Sequence, residues 1–266
     1  MDLHQSFVLG IVQGLTEFLP ISSTAHLRIV PHMLGWQDPG AAFSAVIQLG
    51  TLVAVLWYFR KDIVTLTRAA LESIWQRNWA HSQDSKLAWA IALGNIPIVV
   101  LGLTLKDFIE GEARSLQVIA TALIVLGVLL YLVERVSKRD KSTETLTFVQ
   151  VQLIGLCQAL ALIPGCSRSG STIMGGFLVG LNRESAARFS FLLGLPAITG
   201  SGIFEWFSLI KEPQAPPTLI VLVGIASAFV SGYLSISFLI RFLKRYGTAA
   251  FMGYRVLLGA AILLYL

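Results

Sequence analysis

Two stretches of this 266-residue chain set charged and hydroxyl side chains inside otherwise apolar sequence. The first reads Gln13-Gly14-Leu15-Thr16-Glu17-Phe18-Leu19-Pro20-Ile21-Ser22-Ser23-Thr24-Ala25-His26, and the second Pro164-Gly165-Cys166-Ser167-Arg168-Ser169-Gly170-Ser171-Thr172. Ionisable groups at bilayer depth cost roughly 2.5–3.5 kcal/mol each on insertion scales, so they are candidates for function. In the second stretch Arg168 offers a planar fork that fits two phosphate oxygens. Ser167 and Ser169 offer hydroxyls, and Gly165 lets the backbone come close to a ligand. The first stretch adds a carboxylate, an imidazole and hydroxyls. Glu17 follows Gln13 by one helical turn, so both face the same way, and His26 follows Ser23 by three residues. A serine attacks only when a base takes its proton, and an expelled phosphate needs positive charge or donors. Glu17, Ser23, His26 and Arg168 together fill those roles. Spacing leaves alternatives open: Ser22 or Thr24 as the reactive hydroxyl, Glu17 as mere counter-ion to Arg168, His26 as a structural residue, or Gln13 with Glu17 as ligands to a divalent cation.

The elements that position these residues follow from composition. With 55% hydrophobic and 13% charged residues and a mean hydropathy of +0.73, the chain is too apolar for a soluble domain of its size. The apolar run after Met1 lacks a basic leader and holds Gln13 and Glu17, so the first segment is expected to stay in the mature protein. The net charge of +5 comes from Lys and Arg in short connections rather than one stripe, which argues against a nucleic-acid partner. Cys157 and Cys166 are read as packing residues. Six runs are long enough to span a membrane as helices: 42–59, 87–105, 116–133, 186–206, 218–240 and 248–266. Pro20 and Pro164 split each motif stretch into two short apolar pieces, the pattern of a re-entrant helix, turn and helix. Both turns lead into helices, whose free N–H groups and dipole attract anions.

Thirty residues separate Pro20 from Gly50 and Pro164 from Gly194, Ser23 aligns with Ser167, and Gly94/Gly102 repeats as Gly224/Gly232. These registers point to two homologous halves, 1–140 and 147–266. Basic residues concentrate in 60–86, 134–147 and 241–245, which the positive-inside rule places in the cytoplasm. The acidic stretches 106–115 and 207–217, with Glu110, Lys211 and Glu212, fall outside. The motif segments then enter from opposite sides. The fold expected is an all-α integral membrane protein, six transmembrane helices plus two re-entrant helix-turn-helix segments arranged as an inverted-topology repeat. Arg28 and Arg255 stay outside the core site, Trp57, Trp89 and Trp206 read as interfacial anchors, and 60–86 with Trp75 and Trp79 as a solvated or surface-lying connection.

In both motifs the chain resembles the undecaprenyl-pyrophosphate phosphatase family, the bacitracin-resistance membrane phosphatases of the cell-wall lipid-carrier cycle. The resemblance extends over the whole length. It implies hydrolysis of undecaprenyl diphosphate to undecaprenyl phosphate and inorganic phosphate in the bacterial inner membrane, at a site open to the outer side, with bacitracin competing for the substrate. Residue by residue it implies Ser23 as nucleophile or phosphate contact, Glu17 and His26 as acid-base groups, and Arg168 as phosphate anchor. Ser167, Ser169 and Thr172 are further contacts, with Gln13, Ser22, Thr24 and Gly165 in the binding site. Gln13 stands at a Glu-or-Gln position, which weakens a two-carboxylate metal site; a divalent cation (Mg or Ca) and a homo-oligomer stay open. Ala25, where glycine is common, is expected to be silent. The competing reading from another class is a transporter or flippase for an anionic polyprenyl lipid, because inverted repeats with broken helices are transporter architecture.

Overall fold

The computed structural model describes residues 1–209 and 216–265, the Glu110 side chain excepted; Lys211 and Glu212 of the expected outer loop lie outside the described residues. Among these residues the regular elements are helices: α1 (Leu3–Phe18), α2 (Ser23–Met33), α3 (Gly40–Tyr58), α4 (Arg60–Trp75), α5 (Gln83–Gly94), α6 (Ile96–Thr104), α7 (Lys106–Glu110), α8 (Leu116–Val136), α9 (Phe148–Ala159), α10 (Arg168–Leu178), α11 (Arg183–Leu209), α12 (Thr218–Arg245) and α13 (Ala249–Tyr265). Five stretches are long and apolar enough to cross a membrane, Gly40–Tyr58, Gln83–Thr104, Leu116–Val136, Arg183–Leu209 and Thr218–Arg245. The chain is therefore a multi-pass helical membrane protein. α13, expected as a sixth span, is apolar but has 17 residues, about 25 Å of helix.

The prolines break the motif segments where the sequence placed them. A residue before proline is driven from the helical region, and Leu19 and Ile163 are accordingly extended, at ψ 140° and 114°. The chain re-enters a helix through two serine N-caps in the same unusual conformation, Ser22 at φ 74° and Ser167 at φ 69°. Each accepts from the amide three residues on, Ala25 and Gly170. This corrects the register that paired Ser23 with Ser167. Gly165 adds a residue to the second turn, and the matching positions are Ser22 and Ser167. After α2 the chain is back where it began, since Trp36 lies edge-on to His4 at 5.9 Å.

Some expected spans and loops are redrawn. Residues 87–105 form two helices broken at Asn95, whose amide turns to the carbonyls of Ile91 and Leu193. Residues 60–75 and 241–245, read as connections, are helical, and Glu134 and Arg135 still belong to α8. Trp206, partly buried, packs against an apolar cluster with Phe43, Ile47 and Leu209.

Helices meet along seams of small residues, which let backbones approach where no hydrophobic force separates helix from lipid. α1 runs parallel to α12, with Ser6 Oγ donating to Ile220 O (2.6 Å) and Ser235 Oγ to Leu15 O (2.9 Å). α3 lies parallel on the same helix, Gly50 facing the Ile225 carbonyl. α9 runs parallel to α5 in turn, Gln152 Nε2 reaching Ala90 O (3.2 Å) and Gln158 Nε2 reaching Asn95 Oδ1 (2.9 Å). α11 runs with α5 and α6, since Asn95 meets Leu193 and Lys106 lies over Phe204. It runs against α3, Arg188 reaching Asp62 while Gly202 faces Ala45 and Leu49. α1 and α9 therefore point in opposite directions, each docked on a helix from the other half of the chain.

A side chain at Gly14 would strike Ser231 and the Ala228 carbonyl, whereas Gly253 faces open space. We expect Gly14→Val to cost about 1–3 kcal/mol through overpacking and to lower the melting temperature of the detergent-purified protein, with Gly253→Ala unchanged; equal melting of the two variants would refute the seam.

Candidate active site

The two broken segments bring their turns together, and the residues there sort by what they touch. Glu17, buried at 5% exposure, gathers donors on both oxygens. Oε2 accepts from Gln13 Nε2 (3.0 Å) and Ser23 Oγ (2.7 Å). Oε1 accepts from Gln48 Nε2 (2.9 Å) and Arg168 Nη2 (3.0 Å). The Glu17–Arg168 ion pair joins the first motif to the second across the chain. Arg168 also donates from Nη1 to Ser190 O (3.2 Å), while Thr172 Oγ1 meets the Arg168 carbonyl (2.8 Å) and Ser190 Oγ (2.5 Å). A side chain at Gly194 would collide with the guanidinium, so Gly194 leaves its passage free. Ser23 and Thr24 open α2, and Arg168 and Ser169 open α10, so two 11-residue helices point their positive ends toward the site.

These groups stand at the inner end of a cavity of about 540 Å³ lined by Gln13, Glu17, Ser23, Thr24, Gln48, Ser167 and Arg168. The cavity continues between α6 and α11 along Val99, Leu103, Leu162, Ile198 and Phe204 to Lys106 and Arg114. α6 buries none of its residues, and Leu103 is 69% exposed, so the cavity opens sideways onto lipid-facing surface. Arg28, Asp38 and Arg114 form an ion cluster, Arg28 and Arg114 both reaching Asp38.

Other expected site residues support rather than line this cavity. Ser22 caps α2. Ser169 Oγ reaches Leu19 O (3.1 Å) and lies 3.1 Å from Ser167 Oγ, tying the second turn to the first. Gly165, at φ 98°, is pressed against Ile119 and Ala122 of α8. Its lack of a side chain allows this close packing on α8. His26 is placed differently from its expected role. Nδ1 faces the Ser22 carbonyl at 2.7 Å, so it carries the hydrogen, and Nε2 lies 2.6 Å from the Tyr254 hydroxyl with the rings stacked. The partner of Ser23 is Glu17, not His26.

Arg255, left outside the core by the sequence reading, proves central. It is fully buried, and its partners are all carbonyls. Nη1 donates to Pro20 O (3.0 Å) and Cys166 O (3.1 Å), Nη2 to Gly165 O (2.9 Å) and Ala122 O (3.2 Å), and Nε to Leu123 O (3.0 Å). One guanidinium thus holds the turn before each serine cap. Gln48, Ser190 and Tyr254 were also missed; polar residues inside apolar spans carry no spacing signal that names their partner.

The donor set does not fit a protein-held divalent cation. Glu17 is the one carboxylate at the inner end of the cavity, Gln13 turns its amide N–H to it as a donor, and among the described residues no group of three or more His, Cys, Asp or Glu is assembled.

A multi-pass membrane protein with a buried Glu17–Arg168 pair at the inner end of a cavity that reaches an exposed apolar flank is the class these observations define. Residues 6–261 match the family described as bacitracin resistance protein BacA, and the chain belongs to that family. Similar proteins include the undecaprenyl-diphosphatase of Myxococcus xanthus (strain DK1622), 51% identical over 266 residues, which span all of this chain and 90% of the relative. That of Chlorobium luteolum (strain DSM 273 / BCRC 81028 / 2530) is 50% identical across all of this chain and 98% of its own. That of Chlorobaculum tepidum (strain ATCC 49652 / DSM 12025 / NBRC 103806 / TLS) is 47% identical over 99% of this chain and 96% of its own.

Replacing Arg255 with Met would strip the Pro20, Gly165 and Cys166 carbonyls of their donor at about 1–3 kcal/mol each. We expect detergent-purified Arg255→Met to lose most of its folded yield and Arg255→Lys to recover only part of it, judged by size-exclusion profile and thermal melting. Wild-type melting of Arg255→Met would contradict the clamp.

Proposed function

We propose that this chain hydrolyses undecaprenyl diphosphate to undecaprenyl phosphate and inorganic phosphate, with Ser23 as nucleophile and Glu17 as its base. The observation that carries the reading is the Ser23 hydroxyl, 2.7 Å from Glu17, beside Arg168 at the foot of a cavity that opens sideways into lipid. A diphosphate on a long isoprenoid needs both features, a phosphate pocket at depth and a lateral exit for the tail.

Before substrate arrives, Arg168 and Glu17 neutralise each other, as buried charges must. The terminal phosphate then takes the free edge of the Arg168 guanidinium and the amides that open α2 and α10. Glu17 receives the Ser23 proton, Oγ attacks the terminal phosphorus, and the bond to the bridging oxygen breaks. Undecaprenyl phosphate departs with that oxygen and takes the proton from Glu17, leaving a seryl phosphate beside a carboxylate restored to its basic form. Water attacks this intermediate with Glu17 again as base, and inorganic phosphate leaves as Ser23 regains its hydrogen. Arg168, the Ser167 hydroxyl and the helix N-termini stabilise the negative charge that develops. A divalent cation would have to be held by one carboxylate plus substrate phosphates. Transport of an anionic lipid would give the Ser23–Glu17 contact nothing to do.

In the membrane, the basic residues of 60–86, 134–147 and 241–245 lie in the cytoplasm by the positive-inside rule. The opposite directions of α1 and α9 support motif segments re-entrant from opposite faces and halves 1–140 and 147–266 related as an inverted repeat, with α13 as the sixth span. The cavity mouth at Lys106 and Arg114 then faces the outer side of the bacterial inner membrane. There the enzyme returns the lipid carrier to cell-wall synthesis and draws down the diphosphate for which bacitracin competes.

Phosphate release from undecaprenyl diphosphate by purified protein tests this reading. We expect Glu17→Gln to fall by about 10²–10⁴-fold, the range for loss of a positioned proton acceptor, and Ser23→Ala to fall at least as far. Acid-quenched wild type should hold a phosphoserine that Ser23→Ala lacks. Folded Ser23→Ala retaining a tenth of wild-type release would remove Ser23 as nucleophile, and no release by folded wild type would return the transport reading.

A further inference from the structure

The ends of α8 and α12 farthest from the cavity mouth carry a second polar construction that the proposed chemistry does not use. Glu134, buried at 2% exposure, accepts from the Thr248 amide (2.7 Å) and the Thr248 hydroxyl, from Arg183 Nε (2.5 Å) and from Arg139 Nη1 (3.5 Å). One carboxylate therefore serves two arginines. Arg139 is held at φ 57°, a left-handed conformation costing roughly 1–2 kcal/mol for a residue with a side chain. The chain beside it is pinned, Lys141 N donating to Gly180 O (3.0 Å) and Asn182 N to Lys141 O (2.9 Å).

The fixed arginines face a cavity of about 510 Å³ whose lining also includes Lys138, Lys244, Asn182 and Glu184. Lys244 pairs with Glu184 at 3.0 Å. Among the described residues the terminal nitrogens of Arg183 and the Lys138 ammonium have no hydrogen-bond partner. Four cations against Glu134 and Glu184 leave two positive charges uncompensated. Arginines braced from behind by a buried carboxylate, with free donors turned to one cavity, form a preorganised oxyanion receptor. Val136 and Tyr246, each two residues from a lining lysine, are 82% and 53% exposed, so the rim borders lipid-facing surface.

We propose that this cavity binds a phosphate group, carried by the head of an anionic phospholipid or as the free anion. It is a site separate from the one containing Glu17 and Arg168, and in the orientation proposed above it lies at the inner leaflet, where basic pockets between helices meet anionic headgroups.

The test uses detergent-purified full-length wild type, Lys138→Gln, the double variant Lys138→Gln/Lys244→Gln, and Lys138→Arg/Lys244→Arg. Phosphatidylglycerol and phosphatidylcholine are titrated and bound lipid is counted by native mass spectrometry; inorganic phosphate is titrated separately by thermal shift. At about fivefold per lysine near an anionic headgroup, phosphatidylglycerol should bind about fivefold more weakly to the single variant and about 30-fold more weakly to the double. The arginine pair should restore it, phosphatidylcholine should not distinguish the proteins, and all four should release phosphate from undecaprenyl diphosphate alike. That result establishes a lipid headgroup as occupant. If inorganic phosphate stabilises wild type more than the double variant while phosphatidylglycerol binds both equally, the free anion is the occupant and the site stands. Equal binding of both probes to wild type and to Lys138→Gln, the exposed change that leaves the Glu134 network untouched, overturns the proposal.

Discussion

Breaking a helix in a buried place strips backbone carbonyls of their donors where no water can replace them, and this chain does so twice, at two turns that meet. Arg255 meets that constraint. Its guanidinium lies beneath both turns and donates to Pro20, Gly165 and Cys166 at once, so buried peptide oxygens gain partners and the turns are locked to each other. The serine caps follow directly, and with them the directions of α2 and α10. Because among the described residues no carboxylate pairs with Arg255, its charge is spread over carbonyl dipoles and adds to the positive potential of two helix N-termini.

Glu17 is the second consequence. A lone buried carboxylate would be unstable, and this one is held by Gln13, Ser23, Gln48 and Arg168, drawn from four different elements. A fully satisfied polar network is rigid and specific, whereas a partly satisfied one is costly. The arrangement also explains why α1 must lie deep: its glycine face on α12 brings Gln13 and Glu17 to the level of the turns. The cavity wall is built differently, from α6, which packs loosely and leaves apolar side chains toward lipid.

The motif residues were legible because the membrane makes polarity expensive. Glu17, Ser23, Thr24, Ser167 and Arg168 converge as their types and spacing required, and Pro20 and Pro164 break the helices where proline must. What the sequence hid were contacts whose partners are not themselves a signal. Arg255 looked like an orphan because its acceptors are peptide oxygens, which every residue carries. The pairing of Ser23 with Ser167 missed that Gly165 lengthens one turn; only a pair of positive φ angles reveals Ser22 as the true counterpart. His26 stood at the right spacing for Ser23, yet its ring is turned to Tyr254, more than two hundred residues along the chain. Glu134 fell at the edge of a connection read only for its basic residues, although it is buried against Thr248 and Arg183.

The central claim is that both turns act on one phosphorus, with Ser23 supplying the oxygen. It is tested most directly by a high-resolution structure of the protein with orthovanadate, which adopts the five-coordinate geometry of phosphoryl transfer. The account predicts vanadium bonded to Ser23 Oγ, Glu17 beside that oxygen, and Arg168 donating to the equatorial oxygens. Vanadate separated from Ser23 by a water, or seated out of reach of Arg168, would contradict it.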